Sequence, residues 1–315
     1  MNTCPHSQAA SDPTTQASEL EEIARSTSLA GVESAGRSAV LLVSHGSHSP
    51  AWRQMLLDLH EGVAGELLEL PGVAQVRTAF MEYTEPSIAT QLRELDASGI
   101  ERVVVVPLLL TISDHSFDDI PAICGHSDDP GRDAALAEEG IEVYRAEAEL
   151  EFAPLLDFSD LIRTNLFRRL QAIVGRRLGH PENGRRDGLV LVGYGSAEFE
   201  DEWNRFFREV RAFAESDLAI AASAHAWCGH LVRYSRQPTI DAIETLLERT
   251  DRVIVVPVLV AYDRMFQERI IGRAVERCSA PERVLYRADA ILPEPAVGHW
   301  VVSIAERMLA GAVRQ

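Results

Sequence analysis

This sequence is short of the features that mark secreted, membrane or nucleic-acid-binding proteins. Its four cysteines, Cys4, Cys124, Cys228 and Cys278, are scattered with no CxxC pair. That argues against a disulfide framework or a structural zinc site and points to a reducing cytosol. No apolar run approaches the ~20 residues of a membrane span. Residues 1–37 are rich in Ser, Thr, Ala and Glu without an apolar core, so no secretory signal is visible. They read as a disordered leader with one short helix around Glu19–Arg25. No basic run offsets the net charge of −18, which argues against nucleic acid as a partner. An anionic small molecule stays open, because local arginines can override the global sign. There is no GxSxG elbow around Ser44 and Ser47. Gly193-Tyr194-Gly195 lacks the third glycine of a dinucleotide fingerprint.

What is present is a patterned globular chain, 46% hydrophobic and 25% charged, with room in 315 residues for two domains. Val40-Leu41-Leu42-Val43 reads as a strand covered on both faces, running into Ser44-His45-Gly46. Apolar residues at helical spacing from Trp52 to Leu67 predict a helix over about 51–69, ended by Pro71-Gly72. Val76 to Met81 predicts a second strand closing on Glu82. Pro86-Ser87 opens a helix, and Val103 to Leu110 predicts a third strand. A polar loop then carries His115. A helix begins near Phe117, and 124–140 reads as loop. A fourth strand is expected at Ile141–Ala146 and a helix over about 154–175.

The pattern then restarts. Val43 to Ser47 matches Val192 to Ser196, and Pro86-Ser87-Ile88 matches Pro238-Thr239-Ile240. Glu101 to Pro107 matches Asp251 to Pro257, and Val143 to Ala146 matches Leu285 to Ala288. Four ordered matches make the chain two diverged copies of one βαβαβαβα unit. The expected fold class is α/β, two tandem Rossmann-like domains, each a parallel sheet with helices on both faces. The expected divisions are a leader (1–37), a first domain (38–178), a linker (179–187) and a second domain (188–315). A cleft between two such domains is where a sizeable ligand would sit.

His45, Glu82 and His115 each follow a predicted strand, so a parallel sheet would bring all three to one edge. Imidazoles facing a carboxylate can hold a divalent metal, take protons, or do both. The plainer reading makes His45 a turn residue, and Glu82 and Glu85 solvated carboxylates near a helix start. The second copy has Tyr194 at the His45 position and Met265 at the His115 position. The Glu82 counterpart is Tyr234 or about Trp227, depending on loop length. That asymmetry favours chemistry in the first half and scaffolding in the second. His225, Cys228 and His230 lie close together but at spacing irregular for zinc. His48 and His60 read as peripheral. Arg53, Arg77, Arg145, Arg233 and Arg236 are either surface charges or partners for carboxylates.

The ordered set Val43 to Ser47, Ala79 to Ser87, Val105 to Leu110, His115 and Asp119-Ile120-Pro121 resembles the sirohydrochlorin chelatases of the class II chelatase superfamily. The resemblance covers about 39–155 well and 188–312 more faintly. It implies ATP-independent insertion of Co²⁺ or Fe²⁺ into a tetrapyrrole, with His45, His115 and Glu82 facing metal and macrocycle. The metal is then substrate, and no tightly bound cofactor is implied. The resemblance also implies that the fused duplication reproduces, as a monomer, the pair made by single-domain members. The loop Thr111 to Asp114 departs from the glycine-containing loop of relatives. A carrier of metal or tetrapyrrole on the same fold is the alternative.

Overall fold

A computed structural model describes residues 37–109, 119–127, 129–154, 158–175 and 186–311. The expected leader helix, the loop carrying His115 and nearly all of the expected linker lie outside the described residues. Four strands, β1 (Ser38–Ser44), β2 (Val73–Phe80), β3 (Arg102–Pro107) and β4 (Glu149–Phe152), form one sheet in the order β2-β1-β3-β4. Four more, β5 (Asp187–Gly193), β6 (Ala222–Trp227), β7 (Arg252–Val258) and β8 (Val284–Tyr286), form a second in the order β6-β5-β7-β8. All six strand pairings are parallel. The internal repeat in the sequence is therefore a repeat of topology.

The helices are α1 (Pro50–Leu68), α2 (Ile88–Ala97), α3 (Ile120–Ile123), α4 (Pro130–Glu138), α5 (Phe158–Val174), α6 (Glu200–Asp217) and α7 (Gln237–Leu247). A π-helical turn, Met265–Gly272, then runs into α8 (Arg273–Arg277), and α9 (Pro295–Gly311) closes the described chain. Ser49 caps α1 by accepting the Trp52 N–H, with Pro50 in the first turn, and Ser87 caps α2 through the Thr90 N–H.

β1 is buried along its whole length, and its alternating side chains enter two different cores. Ala39, Leu41 and Val43 face α2 and α3. Val40 and Leu42 face a central core shared with Leu189 and Leu191 of β5. Val190 and Val192 face α7 on the far side. The result is five layers: outer helices, a sheet, a shared helical layer of α1, α5, α6 and α9, the second sheet, and outer helices again.

Two helices of the shared layer are exchanged between halves. α5, from the first copy of the repeat, packs against β7 and β8 of the second sheet, while α9, from the second copy, packs on α1 and β3. Arg102 of β3 seals the α9 terminus by donating to the carbonyls of Met308 at 2.8 Å and Leu309 at 3.4 Å. Gly298 lets α9 approach α1, since a β carbon there would stand 3.1 Å from a Val63 methyl. Asn165 of α5 donates to the Ile291 carbonyl at 3.1 Å and to Glu294 at 2.9 Å. Arg169 of α5 donates to the Pro257 carbonyl at 2.7 Å and pairs with Asp289.

The fourth strand of the first sheet lies at 149–152, not at 141–146. Segment 141–146 is held elsewhere: the Tyr144 N–H bonds the Ile123 carbonyl at 2.9 Å, and its hydroxyl donates to Asp96 at 2.9 Å. Arg102 instead fixes β4 by a two-pronged pair to Glu151, 2.7 Å on each prong. The ladder sets Val103 beside Leu150 and Val253 beside Val284. Tyr286 thus corresponds to Phe152, and the sequence match of Val143–Ala146 to Leu285–Ala288 is not structural. The expected loop 124–140 holds α4, capped by Asp129 accepting the Gly131 N–H at 2.9 Å.

Candidate functional site

The first-half site is built where β1 and β2 run out. Backbone pairing continues past the strands: Met81 N–H donates to Ser44 O and Glu82 N–H to His45 O, each at 2.9 Å. This extension puts His45 and Glu82 side by side, and His45 Nε2 lies 4.0 Å from Glu82 Oε1. The Glu82 side chain is 11% exposed and the His45 ring 32%, so the pair borders solvent without being immersed in it. Gly46 turns the chain at φ +102°, and a β carbon there would sit 2.0 Å from the Glu82 carbonyl oxygen. Only glycine permits both the turn and the contact.

His45 Nδ1 lies 3.2 Å from the Gly46 carbonyl. A carbonyl only accepts, so this contact takes its proton from Nδ1; in the neutral ring the lone pair then sits on Nε2, the nitrogen nearest Glu82. Beside them Tyr83 adopts φ +64° and is 57% exposed, unusual for a large side chain. Its ring lies 6.0 Å from that of His45 and 4.7 Å from that of His48. A hydrogen bond to Glu82, with burial second, pushes the Tyr83 phenol up to about 12. It therefore stays protonated and donates to the carboxylate. The sequence does not single out Tyr83, and His48, read there as peripheral, stands beside it. The strained, exposed conformation that marks Tyr83 leaves no compositional trace.

The second half repeats the backbone and changes the side chains. Cys228 N–H donates to Gly193 O at 2.9 Å and Gly229 N–H to Tyr194 O at 3.0 Å. Tyr194 thus corresponds to His45, as the repeat predicts. Gly229, rather than Tyr234 or Trp227, corresponds to Glu82, because Trp227 pairs with Gly193 as Phe80 pairs with Ser44. The longer loop from Gly229 to Pro238 holds a 3₁₀ turn, His230–Val232. Its His230 stands 5.7 Å from Tyr194 and its Tyr234 4.9 Å from His230, and Phe266 of the π-helical turn stands 5.5 Å from Tyr194. Burial first, then hydrogen bonding with Tyr234, pushes the Tyr194 phenol up. Tyr83 lies within electrostatic range of both Tyr194 and Tyr234, and Ser47 donates to Asp263 at 3.3 Å across the halves. The polar pair and the aromatic cluster stand beside one another.

His115 lies outside the described residues. Its expected counterpart, Met265, opens the π-helical turn and is 41% exposed. Among the described residues no three His, Cys, Asp or Glu gather to hold a metal ion. His225 points to Asn204 at 3.1 Å and stacks on Phe207 at 5.1 Å, so it does not join Cys228 and His230. Gly193 answers to packing: a β carbon there would stand 2.7 Å from the Phe207 ring. Arg53 donates to the Ser47 carbonyl at 2.8 Å, and Arg77 is held by Gln75 at 2.7 Å. His60 is on α1 and bonds Thr78 at 3.0 Å.

The CbiX family model matches residues 39–173. The sirohydrochlorin cobaltochelatase of Saccharolobus solfataricus is 30% identical over 131 residues, which are 42% of this chain and 91% of that protein. The protein of that description from Methanopyrus kandleri is 36% identical over 87 residues, 28% of this chain and 58% of its own. SirB from Bacillus subtilis, solved with Fe³⁺, superposes with a TM-score of 0.63 at 21% identity, over 89% of this chain and 98% of its own. The structure of CbiX, described as the terminal enzyme for siroheme biosynthesis in denitrifying bacteria, superposes at 0.53 and 15% identity, over 85% and 98%. At those identities the two solved structures speak for the fold. No helix among the described residues is long and apolar enough to cross a membrane.

Proposed function

The chain belongs to the sirohydrochlorin chelatase family, and from that premise we propose that it inserts a divalent metal, Co²⁺ or Fe²⁺, into sirohydrochlorin without ATP. The observation that carries this reading is the His45–Glu82 pair at a sheet edge, inside the segment 39–173 that the CbiX model matches. Metallation replaces two pyrrole N–H protons by one divalent ion, so the site must accept protons and admit a cation at the same place. In this reading the His45 Nε2 lone pair meets the incoming ion or takes one proton. Glu82 holds the ion electrostatically and relays the other proton, and His115 completes the set. Tyr83 positions the Glu82 carboxylate by donating to it.

The metal is substrate here, and no resident cofactor enters the scheme. Both halves in one chain support a monomer with one such site, since Tyr194 and Gly229 stand where His45 and Glu82 stand in the first half. The free thiols Cys124, Cys228 and Cys278 suit the cytoplasm. The test is spectrophotometric metallation of sirohydrochlorin by purified protein across Co²⁺, Fe²⁺ and Ni²⁺. Acceleration that His115→Ala largely removes is expected. Stoichiometric binding without turnover would make the protein a carrier instead.

A further inference from the structure

A cavity of about 480 Å³ lies between α7 and the π-helical turn of the second half, and Tyr234, Arg236, Met265, Arg269 and Arg277 help line it. Three guanidinium groups in one cavity are notable in a chain of net charge −18. None of the three enters an ion pair among the described residues. The adjacent carboxylate is taken: Glu268 accepts from Tyr262 at 2.5 Å and from Arg264 at 3.0 Å. Arg236 Nε donates to the Arg269 carbonyl at 2.7 Å, which fixes that guanidinium by one edge and leaves its terminal nitrogens for another acceptor. Unpaired, partly fixed guanidinium groups are the chemistry that recognises carboxylates in two-pronged fashion. All 30 basic residues of the chain are arginine.

The cavity adjoins the aromatic cluster. Tyr234 lines it and belongs to the aromatic cluster around Tyr194, and Tyr234 is within electrostatic range of Tyr83 beside Glu82. Met265, also on its wall, is an exposed apolar side chain at the same rim. A volume of this size admits more than one carboxylate arm.

We propose that this cavity is a carboxylate-binding subsite, taking acidic side arms of the macrocycle while its ring lies over the aromatic cluster toward His45 and Glu82. The inference rests on the chelatase reading, and it assigns the second half the task of holding the substrate.

The test uses the full chain with Arg269→Gln, Arg277→Gln and the double variant. Both side chains are exposed, so the fold should persist, checked by the thermal midpoint. Fluorescence titration with uroporphyrin, an octacarboxylate macrocycle, is compared with coproporphyrin, a tetracarboxylate. The double variant should raise Kd for uroporphyrin by about tenfold or more, and less for coproporphyrin. KM for sirohydrochlorin should rise while kcat stays within about twofold. Unchanged Kd and KM in the double variant, with the wild type still metallating, overturn the subsite alone. A wild type that binds no tetrapyrrole overturns the chelatase reading and the subsite with it.

Discussion

Gly46 and Glu82 are in backbone contact at the end of the first sheet, with 2.0 Å between the Glu82 carbonyl oxygen and the place a β carbon on residue 46 would take. The same turn aims His45 at the Glu82 carboxylate. Gly46→Ala should therefore cost on the order of 3 kcal/mol, from clash and a forced positive φ together. It should also separate the pair. Urea unfolding measures the first effect and metallation rate the second, and a variant of wild-type stability would contradict the contact.

Removing the reactive groups should act on turnover more than on binding. His45→Ala and Glu82→Gln should each lower kcat by about 10²-fold or more, with tetrapyrrole Kd changed little. Tyr83→Phe, which only loses a donor to Glu82, should cost less. Steady-state kinetics beside a binding titration separates these, and full activity in Glu82→Gln would remove the carboxylate from the mechanism.

Arg169 is buried between the second sheet and Asp289. Arg169→Ala strands that carboxylate and the Pro257 carbonyl, so about 3 kcal/mol of stability should be lost. The midpoint of denaturant unfolding reads this directly.

His60 and His225 are both held below the ordinary imidazole value of 6.5, chiefly by burial, with Arg77 adding to it at His60 and Arg211 at His225. The folded chain thus binds fewer protons than the unfolded chain as pH falls through about 6.5, and stability rises with pH across that window. The thermal midpoint should drop between about pH 7.5 and pH 5.5. His225→Gln should flatten part of that slope, and an identical slope would exclude His225 from it.

Burial pushes the thiols of Cys124 and Cys228 up to about 12. Neither should react with an aromatic disulfide reagent in the native protein near ~pH 8, and both should do so on unfolding. Rapid native labelling of Cys228 would mean that the core between the second sheet and α7 opens in the native state.

Much of this architecture was legible because central parallel strands must be apolar on both faces: Val40–Val43 and Val103–Val106 could be little else. His45 was legible as a strand-end residue, and Tyr194 as its counterpart, because the strand–turn unit repeats without gaps. Glu82's counterpart was not, since the loop after β6 is longer and counting back from Pro238 lands on Tyr234. The ladder is needed to reach Gly229. β4 was misplaced because Val143-Tyr144-Arg145-Ala146 mimics β8 in letters, while Glu149-Leu150-Glu151-Phe152 has half its residues charged. The arginine cavity was invisible for a similar reason. Arg269 and Arg277 share one helical segment, and only the packing of α7 against it brings Arg236 to them.

The exchange of α5 and α9 imposes an order on biosynthesis. When β1, β2 and β3 have left the ribosome, part of the inner face of their sheet has no cover, because its helix is the 17-residue segment Pro295–Gly311. At ~5–20 residues per second that face waits about ten to forty seconds. α5 meanwhile emerges early and must wait for β7 and β8. The inner face of the first sheet is therefore covered only once α9 has emerged, and halves cut between the two sheets would each carry the other's helix. A nascent chain arrested before α9 should be open to protease at the first sheet, and should close when α9 is released.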